Sequence, residues 1–207
     1  GRSVLVHLWA DWCQPCVKEL AEFSREESRL RQQGIDVLAL SVDVATQKPR
    51  SSPASESKLL AGIAYPFRAG RADQATVEKL QLLHDTLFEL RSPLPIPTSF
   101  LIDRQGRVTA VYKGVVTVDQ LLADKQRLAV KTTQEWRMAT MVFPGRWIMP
   151  PRRRHLFNFV SSLADRGYRE DCARYVGWNK RMLTSHPAWQ QLSERIQTGL
   201  RNSTGSD

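Results

Sequence analysis

Apolar and polar positions alternate between strand-like and helix-like spacing along the first 130 residues. Residues 3–9 (Ser-Val-Leu-Val-His-Leu-Trp) form a short apolar run rich in β-formers, which predicts a buried strand. From Gln14 to about Gln32 the spacing is helical. Val17, Leu20 and Phe23 share one stripe, Lys18, Glu22, Arg25 and Glu26 mostly face away, and Gly34 stands where the helix should stop. Residues 35–42 read as a second buried strand. Residues 44–56, rich in Ser, Pro, Lys and Arg, read as a surface loop, with a short helix expected at 57–62. Tyr65-Pro66-Phe67 should be extended, because a residue before proline is pushed out of the helical region. Val77, Leu80, Leu83 and Leu87 predict a helix over 74–89, followed by the proline-rich Ser92–Pro97. Thr98–Ile102 and Val108–Tyr112 flank Asp103-Arg104-Gln105-Gly106, a hairpin signal, and Val118, Leu121, Leu122 and Leu128 predict a helix ending near Ala129.

The resulting order, β-α-β-α-β-β-α, implies an α/β domain over residues 1–130: a mixed sheet, parallel in part with an antiparallel edge, and helices on both faces. Residues 131–154 break the pattern. Phe143-Pro144-Gly145-Arg146-Trp147 and Pro150-Pro151-Arg152-Arg153-Arg154 read as a basic linker lying on a surface, since Trp136, Phe143 and Trp147 call for burial. Over residues 155–207 helical spacing returns in three stripes: Leu156, Val160 and Leu163; Cys172, Tyr175, Val176 and Leu183; Trp189, Leu192, Ile196 and Leu200. Short turns at Gly167 and Pro187 make these a small α-hairpin segment, with a polar tail from Asn202.

Composition adds limits. The chain has 207 residues, 42% apolar and 25% charged, as expected of a globular protein and not of a disordered or fibrous one. No apolar run reaches the ~20 residues that span a bilayer. The net charge of +9 is unevenly placed: residues 131–207 carry 13 Lys and Arg against 6 Asp and Glu, residues 1–130 carry 17 against 15. The basic end is either a solvated surface or a patch for an acidic partner, an anionic membrane surface or nucleic acid. No targeting segment precedes the first strand, and the abrupt start is expected of an excised domain or a processed product.

Three cysteines are too few for a disulfide scaffold. His7, His84, His155 and His186 are scattered, so no set of four zinc ligands forms; neither a metal nor a cofactor is expected. Cys172 reads as a small core side chain. Cys13 and Cys16 differ, because Trp12-Cys13-Gln14-Pro15-Cys16 follows a predicted strand and opens a predicted helix. Unpaired N–H groups at a helix start favour a thiolate, and Pro15 costs no hydrogen bond in the first turn. Cys13, at the more exposed start, is therefore expected to attack a partner disulfide, and Cys16, deeper, to resolve the mixed disulfide.

Two segments carry a resemblance: Val4-Leu5-Val6-His7-Leu8-Trp9-Ala10-Asp11-Trp12-Cys13-Gln14-Pro15-Cys16 and Ile96-Pro97-Thr98-Ser99-Phe100-Leu101-Ile102-Asp103-Arg104-Gln105-Gly106. Over residues 3–129 the chain resembles the thioredoxin superfamily, and more narrowly the TlpA/ResA-like extracytoplasmic thiol–disulfide oxidoreductases. The resemblance implies a thioredoxin-like fold and a cis-proline at Pro97 beside the disulfide. It implies that the Ile96 backbone pairs with an extended partner chain, and that Trp12, Gln14 and Pro15 meet the substrate. It implies that Glu19 tunes the cysteines; a solvated helix Glu is the other reading. His7 departs from the Asp of thioredoxin and the Asn frequent in TlpA-like proteins. It is either a hydrogen-bonded core residue or a proton relay to Cys16. The family suggests a reductase of exported proteins or apocytochromes, fed by a membrane electron donor, in a periplasmic or membrane-anchored setting, with no nucleic-acid partner. Residues 155–207 loosely resemble a tetratricopeptide-type hairpin, which cannot bury its own faces alone and so implies a protein partner or a packing surface. The alternative class is a redox-inactive thioredoxin-like binding module that recruits a partner through its basic helices. A thiol peroxidase shares the fold but has no Thr-x-x-Cys pattern here.

Overall fold

The computed structural model describes residues 1–43, 50, 52–88, 93–128, 146–148 and 153–203. Residues 44–49 and 51 of the expected loop at 44–56, Trp136 and Phe143 of the expected linker, Pro150-Pro151-Arg152 and the last residues of the polar tail lie outside the described residues. The chain forms two compact units, one of residues 1–77 and 94–150, the other of residues 78–93 and 151–207.

The first unit is built on a six-stranded sheet in the order β3-β2-β1-β4-β5-β6. The strands are β1 (Ser3–Trp9), β2 (Ile35–Ser41), β3 (Arg68–Arg71), β4 (Thr98–Ile102), β5 (Val108–Lys113) and β6 (Arg146–Ile148). β1, β2 and β3 are parallel, while β4, β5 and β6 add antiparallel pairs. This is a thioredoxin-like mixed sheet. Its helices are α1 (Gln14–Arg25), α2 (Glu27–Gln32), α3 (Pro53–Gly62), the first residues of α4 (Gln74–Phe88) and α5 (Val118–Leu128). Leu5 and Trp9 of β1, Val37 and Ala39 of β2, Leu101 of β4 and Ala110 of β5 share one core with Cys16, Leu20 and Phe23 of α1 and Leu121 of α5. Full burial of a Leu or Phe in such a core contributes roughly 1.5–3 kcal/mol. Leu8, Phe100 and Val111 alternate to the opposite face and are buried as well, so both faces of the sheet are covered.

Local chemistry explains most boundaries. Gly34 (φ +66°) closes α2 in the left-handed region that glycine adopts at least cost. Gly106 (φ +78°) does the same in the hairpin turn, where Asp103 Oδ1 accepts from the Gln105 and Arg107 amides.

Four features differ from the expected pattern. The helix after Cys13 breaks at Glu26 (φ −97°, ψ 17°), just past Ser24, whose hydroxyl donates to the Leu20 carbonyl and bends the helix. α3 begins at Pro53 and not at 57, because Ser52 and Ser55 form a reciprocal capping box and Pro53 suits the first helical position. β3 falls where the sequence predicts no element: Arg-Ala-Gly-Arg is a mostly exposed edge strand with no apolar alternation to detect. β6 lies inside the expected linker and pairs Val111 with Trp147 across β5.

The second unit contains α6 (Arg153–Asp165), α7 (Arg169–Leu183) and α8 (Trp189–Ser203), so helix starts at Arg153 where linker was expected. Phe159, Val160, Leu163, Cys172, Leu183 and Leu192 form its core, against which Leu82 and Leu83 of α4 pack. Tyr168 donates to the Glu78 carboxylate, and Lys79 pairs with Asp171 at 2.5 Å while lying over the Tyr168 ring. Faces that the C-terminal helices cannot bury among themselves are thus served by residues 78–88 of α4. The Cys172 thiol donates weakly to the Val160 carbonyl, and burial pushes it up to about 11, which leaves it a poor nucleophile.

Candidate active site

The site grows from the end of β1. Its last residue, Trp9, is buried, Ala10 accepts from the Cys13 amide at 3.0 Å, and Cys13 becomes the N-cap of α1. The Cys16 amide points at Cys13 Sγ at 3.4 Å, and the two cysteines are joined as a disulfide. Cys16 is fully buried, and Cys13, at 5% exposure, is less open than a helix-start position suggests. The solvent-facing neighbours are Gln14 and Pro15, both exposed, and Trp12, which is 41% exposed. A helix amide aimed at one sulfur favours negative charge on that sulfur once the pair is reduced.

The Ile96–Pro97 peptide bond is cis. Pro97 is buried, and Ile96 packs, half-buried, against the same core that holds Cys13 and Cys16. The Pro97 carbonyl accepts from the Gly114 amide at 2.8 Å, which ties this turn to the segment leading into α5. Two carboxylates of α1 hold that segment. Glu19 Oε1 accepts from the Val116 amide and Glu22 Oε1 from the Val118 amide, each at 2.9 Å, so they satisfy donors at the start of α5 that have no helical partner.

Glu19 is 2% exposed, and its second oxygen, Oε2, has no hydrogen-bond partner among the described residues. Burial pushes its carboxyl up to about 8; the Val116 N–H opposes the rise and the nearby Glu22 charge adds to it. A solvated surface Glu is therefore excluded. One helical turn separates Glu19 from Cys16 on the buried face of α1, which also carries Leu20 and Phe23.

His7 lies under the same face. Its ring meets Phe23 edge-on at 5.5 Å, its Nδ1 is 2.9 Å from Ser99 Oγ on the paired strand β4, and its Nε2 has no partner among the described residues. Complete burial lowers it to about 3, so it is uncharged at neutral pH. Neither His7 nor Glu19 hydrogen-bonds a sulfur. A His7→Ala change leaves the Ser99 hydroxyl without its partner and opens a cavity beside Phe23. The expected loss is about 2–4 kcal/mol, read by denaturant unfolding at pH 7; an unchanged midpoint would show that the site collapses freely.

Sequence reasoning missed Asp43 and Arg50. Asp43 is buried just beyond β2, accepts from Trp12 Nε1 at 2.6 Å through Oδ1, and from the Arg50 amide at 2.6 Å through Oδ2. The Arg50 guanidinium lies over the Trp12 ring, 5.3 Å from its centroid. One signal was available: a carboxylate two residues past the carboxyl end of a parallel strand, the end at which Cys13 also sits. Among the described residues no group of three or more His, Cys, Asp or Glu is placed to hold a metal.

Comparison with known proteins follows the same outline. A model of the AhpC/TSA family matches residues 1–111. Curated relatives include the thiol-disulfide oxidoreductase ResA of Geobacillus kaustophilus (strain HTA426), 26% identical over 121 residues, 58% of this chain and 60% of that protein. Another is ResA of Bacillus subtilis (strain 168), 24% identical over 124 residues, 56% of each chain. The chain thus spans about 60% of the length of the curated relatives it matches. Solved structures with similar folds include StoA from Bacillus subtilis (20% identity, 59% of this chain and 81% of that one, TM-score 0.45). A second bears the name "putative Thiol:disulfide interchange protein DsbE from Chlorobium tepidum" (26% identity, 62% of this chain and 79% of that one, TM-score 0.43).

Proposed function

The chain belongs to the AhpC/TSA family, and on that premise we propose that it is a protein dithiol–disulfide oxidoreductase working through Cys13 and Cys16. The observation that carries the reading is the Cys13–Cys16 disulfide capping α1, with the Cys16 amide aimed at the Cys13 sulfur. The names of the curated relatives support it.

In the reductive direction the reduced Cys13 thiolate attacks a substrate disulfide. A Cys13–substrate bond forms, and one substrate sulfur leaves as a thiolate. The Cys16 thiol then gives up its proton, attacks Cys13 Sγ, and expels the second substrate thiolate. Two electrons have passed to the substrate, and the Cys13–Cys16 disulfide is restored. Glu19, one turn from Cys16, is the proton acceptor in this scheme in its ionised form, which grows as pH rises towards 8; a carboxyl near 8 matches a thiol better than an ordinary carboxyl does. Trp12, Gln14, Pro15 and the Ile96 backbone form the rim on which an extended substrate chain lies. His7 supports α1 from below as a neutral residue.

Substrates of this reaction are disulfides in exported proteins or apocytochromes, the site of action is outside the cytoplasm, and a membrane-borne dithiol returns the electrons. No described helix is long and apolar enough to cross a membrane. The helical unit offers a second contact for a protein partner: Trp178 and Met182 of α7, one turn apart, are exposed.

A redox titration of the oxidised protein in defined thiol buffers, read by alkylation and intact mass, tests the reading. A potential near the thioredoxin value of about −270 mV is expected of a reductase, and one near the DsbA value of about −120 mV would make the protein an oxidant. Thiols that never pair would leave the binding-module reading in its place.

A further inference from the structure

Trp12 stands beside the disulfide, and the chain after β2 is fastened to it. Asp43 divides its two oxygens between the Trp12 indole and the Arg50 backbone amide, both at 2.6 Å. That arrangement anchors the Arg50 backbone and the Trp12 ring to one buried carboxylate, without using the Arg50 side chain. The guanidinium lies over the indole, its Cζ 5.3 Å from the ring centroid. A guanidinium held over a ring face keeps its charge and its planar fork of N–H donors, which matches a carboxylate. Arg50 is exposed, and no described residue accepts a hydrogen bond from its side chain. Asp11, the carboxylate next to Trp12 in the chain, is engaged by the Ser55 hydroxyl. A positive, preorganised donor edge therefore faces solvent beside the cysteine that meets the substrate.

We propose that Arg50, held by Asp43 and Trp12, is a specificity-determining residue that selects substrates carrying an acidic side chain close to their reactive cysteine. The inference rests on the oxidoreductase reading for its substrate class, but the basic edge exists whether or not the cysteines turn over. Acidic partners gain a fork-like contact on Arg50, and basic partners meet a like charge at the same place.

The test uses two disulfide-bonded peptides of one sequence, differing only in Asp or Lys beside one cysteine. Wild-type protein should reduce the acidic peptide with about tenfold higher kcat/KM at low ionic strength. The ratio should shrink towards about twofold in salt that shortens the screening length to ~3 Å. Arg50→Gln should bring the ratio close to one, and Arg50→Glu should reverse it. In parallel, the same peptides with serine for cysteine are titrated into the oxidised protein, and the Arg50 Nε–H and Trp12 Nε1–H resonances are followed by NMR. The acidic peptide should move both and the basic one neither. Equal rates for the two peptides, or a preference that survives both substitutions, overturns the proposal. If neither peptide is reduced, the redox reading falls and the titration decides alone: shifts confined to the acidic peptide uphold the role of Arg50, and equal or absent shifts remove it.

Discussion

Cys13→Ser abolishes disulfide reduction, while Cys16→Ser stops the reaction one step later and leaves the protein covalently joined to its substrate. The two cysteines are close in sequence and bonded to each other, yet their surroundings are unequal. Cys13 caps α1, and the Cys16 amide is directed at its sulfur at 3.4 Å. A helix start carries roughly half a positive charge, which stabilises a thiolate there and gives nothing comparable to Cys16, sealed in the core. Removing Cys13 removes the nucleophile, and the expected loss is on the order of a thousandfold or more in turnover. With Cys16→Ser the first exchange still runs, but no thiol remains to expel the substrate from Cys13. Intact mass without reductant should then show one substrate per chain, released by added dithiol. Cys172 does not confuse the count, because it is buried with its thiol pushed up to about 11. Wild-type turnover by Cys13→Ser would end the assignment of roles, and normal turnover by Cys16→Ser would show that a resolving cysteine is not needed.

Much of this site was legible in the sequence because its key residues follow patterned elements. The apolar run of β1 fixes where the chain enters the core, Gly34 and the second run fix β2, and Cys13 to Cys16 fall at a strand-to-helix junction that either element alone would imply. What stayed hidden depends on contacts across the fold. β3 is an edge strand with no buried face, so the period-two signal never forms. Asp43 lies just before a Ser, Pro, Lys and Arg-rich stretch and Arg50 within it, where nothing local distinguishes a residue that reaches Trp12 from one that faces water. Residues 78–88 of α4 show the opposite difficulty. Their apolar stripe is clear, but periodicity does not say that Leu82 and Leu83 pack with α6, α7 and α8. The readings of Glu19 and His7 were divided for the same reason. Helical and strand spacing place them on inward faces, and only the tertiary partners, Val116 and Ser99, decide that both are buried and hydrogen-bonded.

Those two buried groups should pull the stability of the oxidised protein in opposite directions with pH, and Glu19→Gln should separate them. Glu19 titrates at about 8 in the fold against an ordinary 4.5. Between these values the folded state keeps a proton that the unfolded chain has lost, so stability falls as pH rises, by up to about 1.4 kcal/mol per pH unit. His7 titrates at about 3 against an ordinary 6.5. Between those values the unfolded chain holds the extra proton, so stability falls as pH drops. From 4.5 to 6.5 the two contributions cancel; above 6.5 that of Glu19 acts alone, and below 4.5 that of His7. Denaturant unfolding of Glu19→Gln should therefore lose the decline between pH 6.5 and 8 and keep the acid-side loss. The amide still accepts from Val116, but its N–H donors enter the place of the unpartnered Oε2 at a cost of about 1–3 kcal/mol. A net gain of about 2 kcal/mol at pH 8 is expected after that cost. The same change takes away the proton acceptor beside Cys16, so the resolving step should slow by about a hundredfold and the mixed disulfide should accumulate. A variant both firmer and slower would place the carboxyl in service of the reaction at the expense of the fold. Wild-type behaviour in both measurements would mean that Glu19 is ionised in the fold, with no part in handling the Cys16 proton.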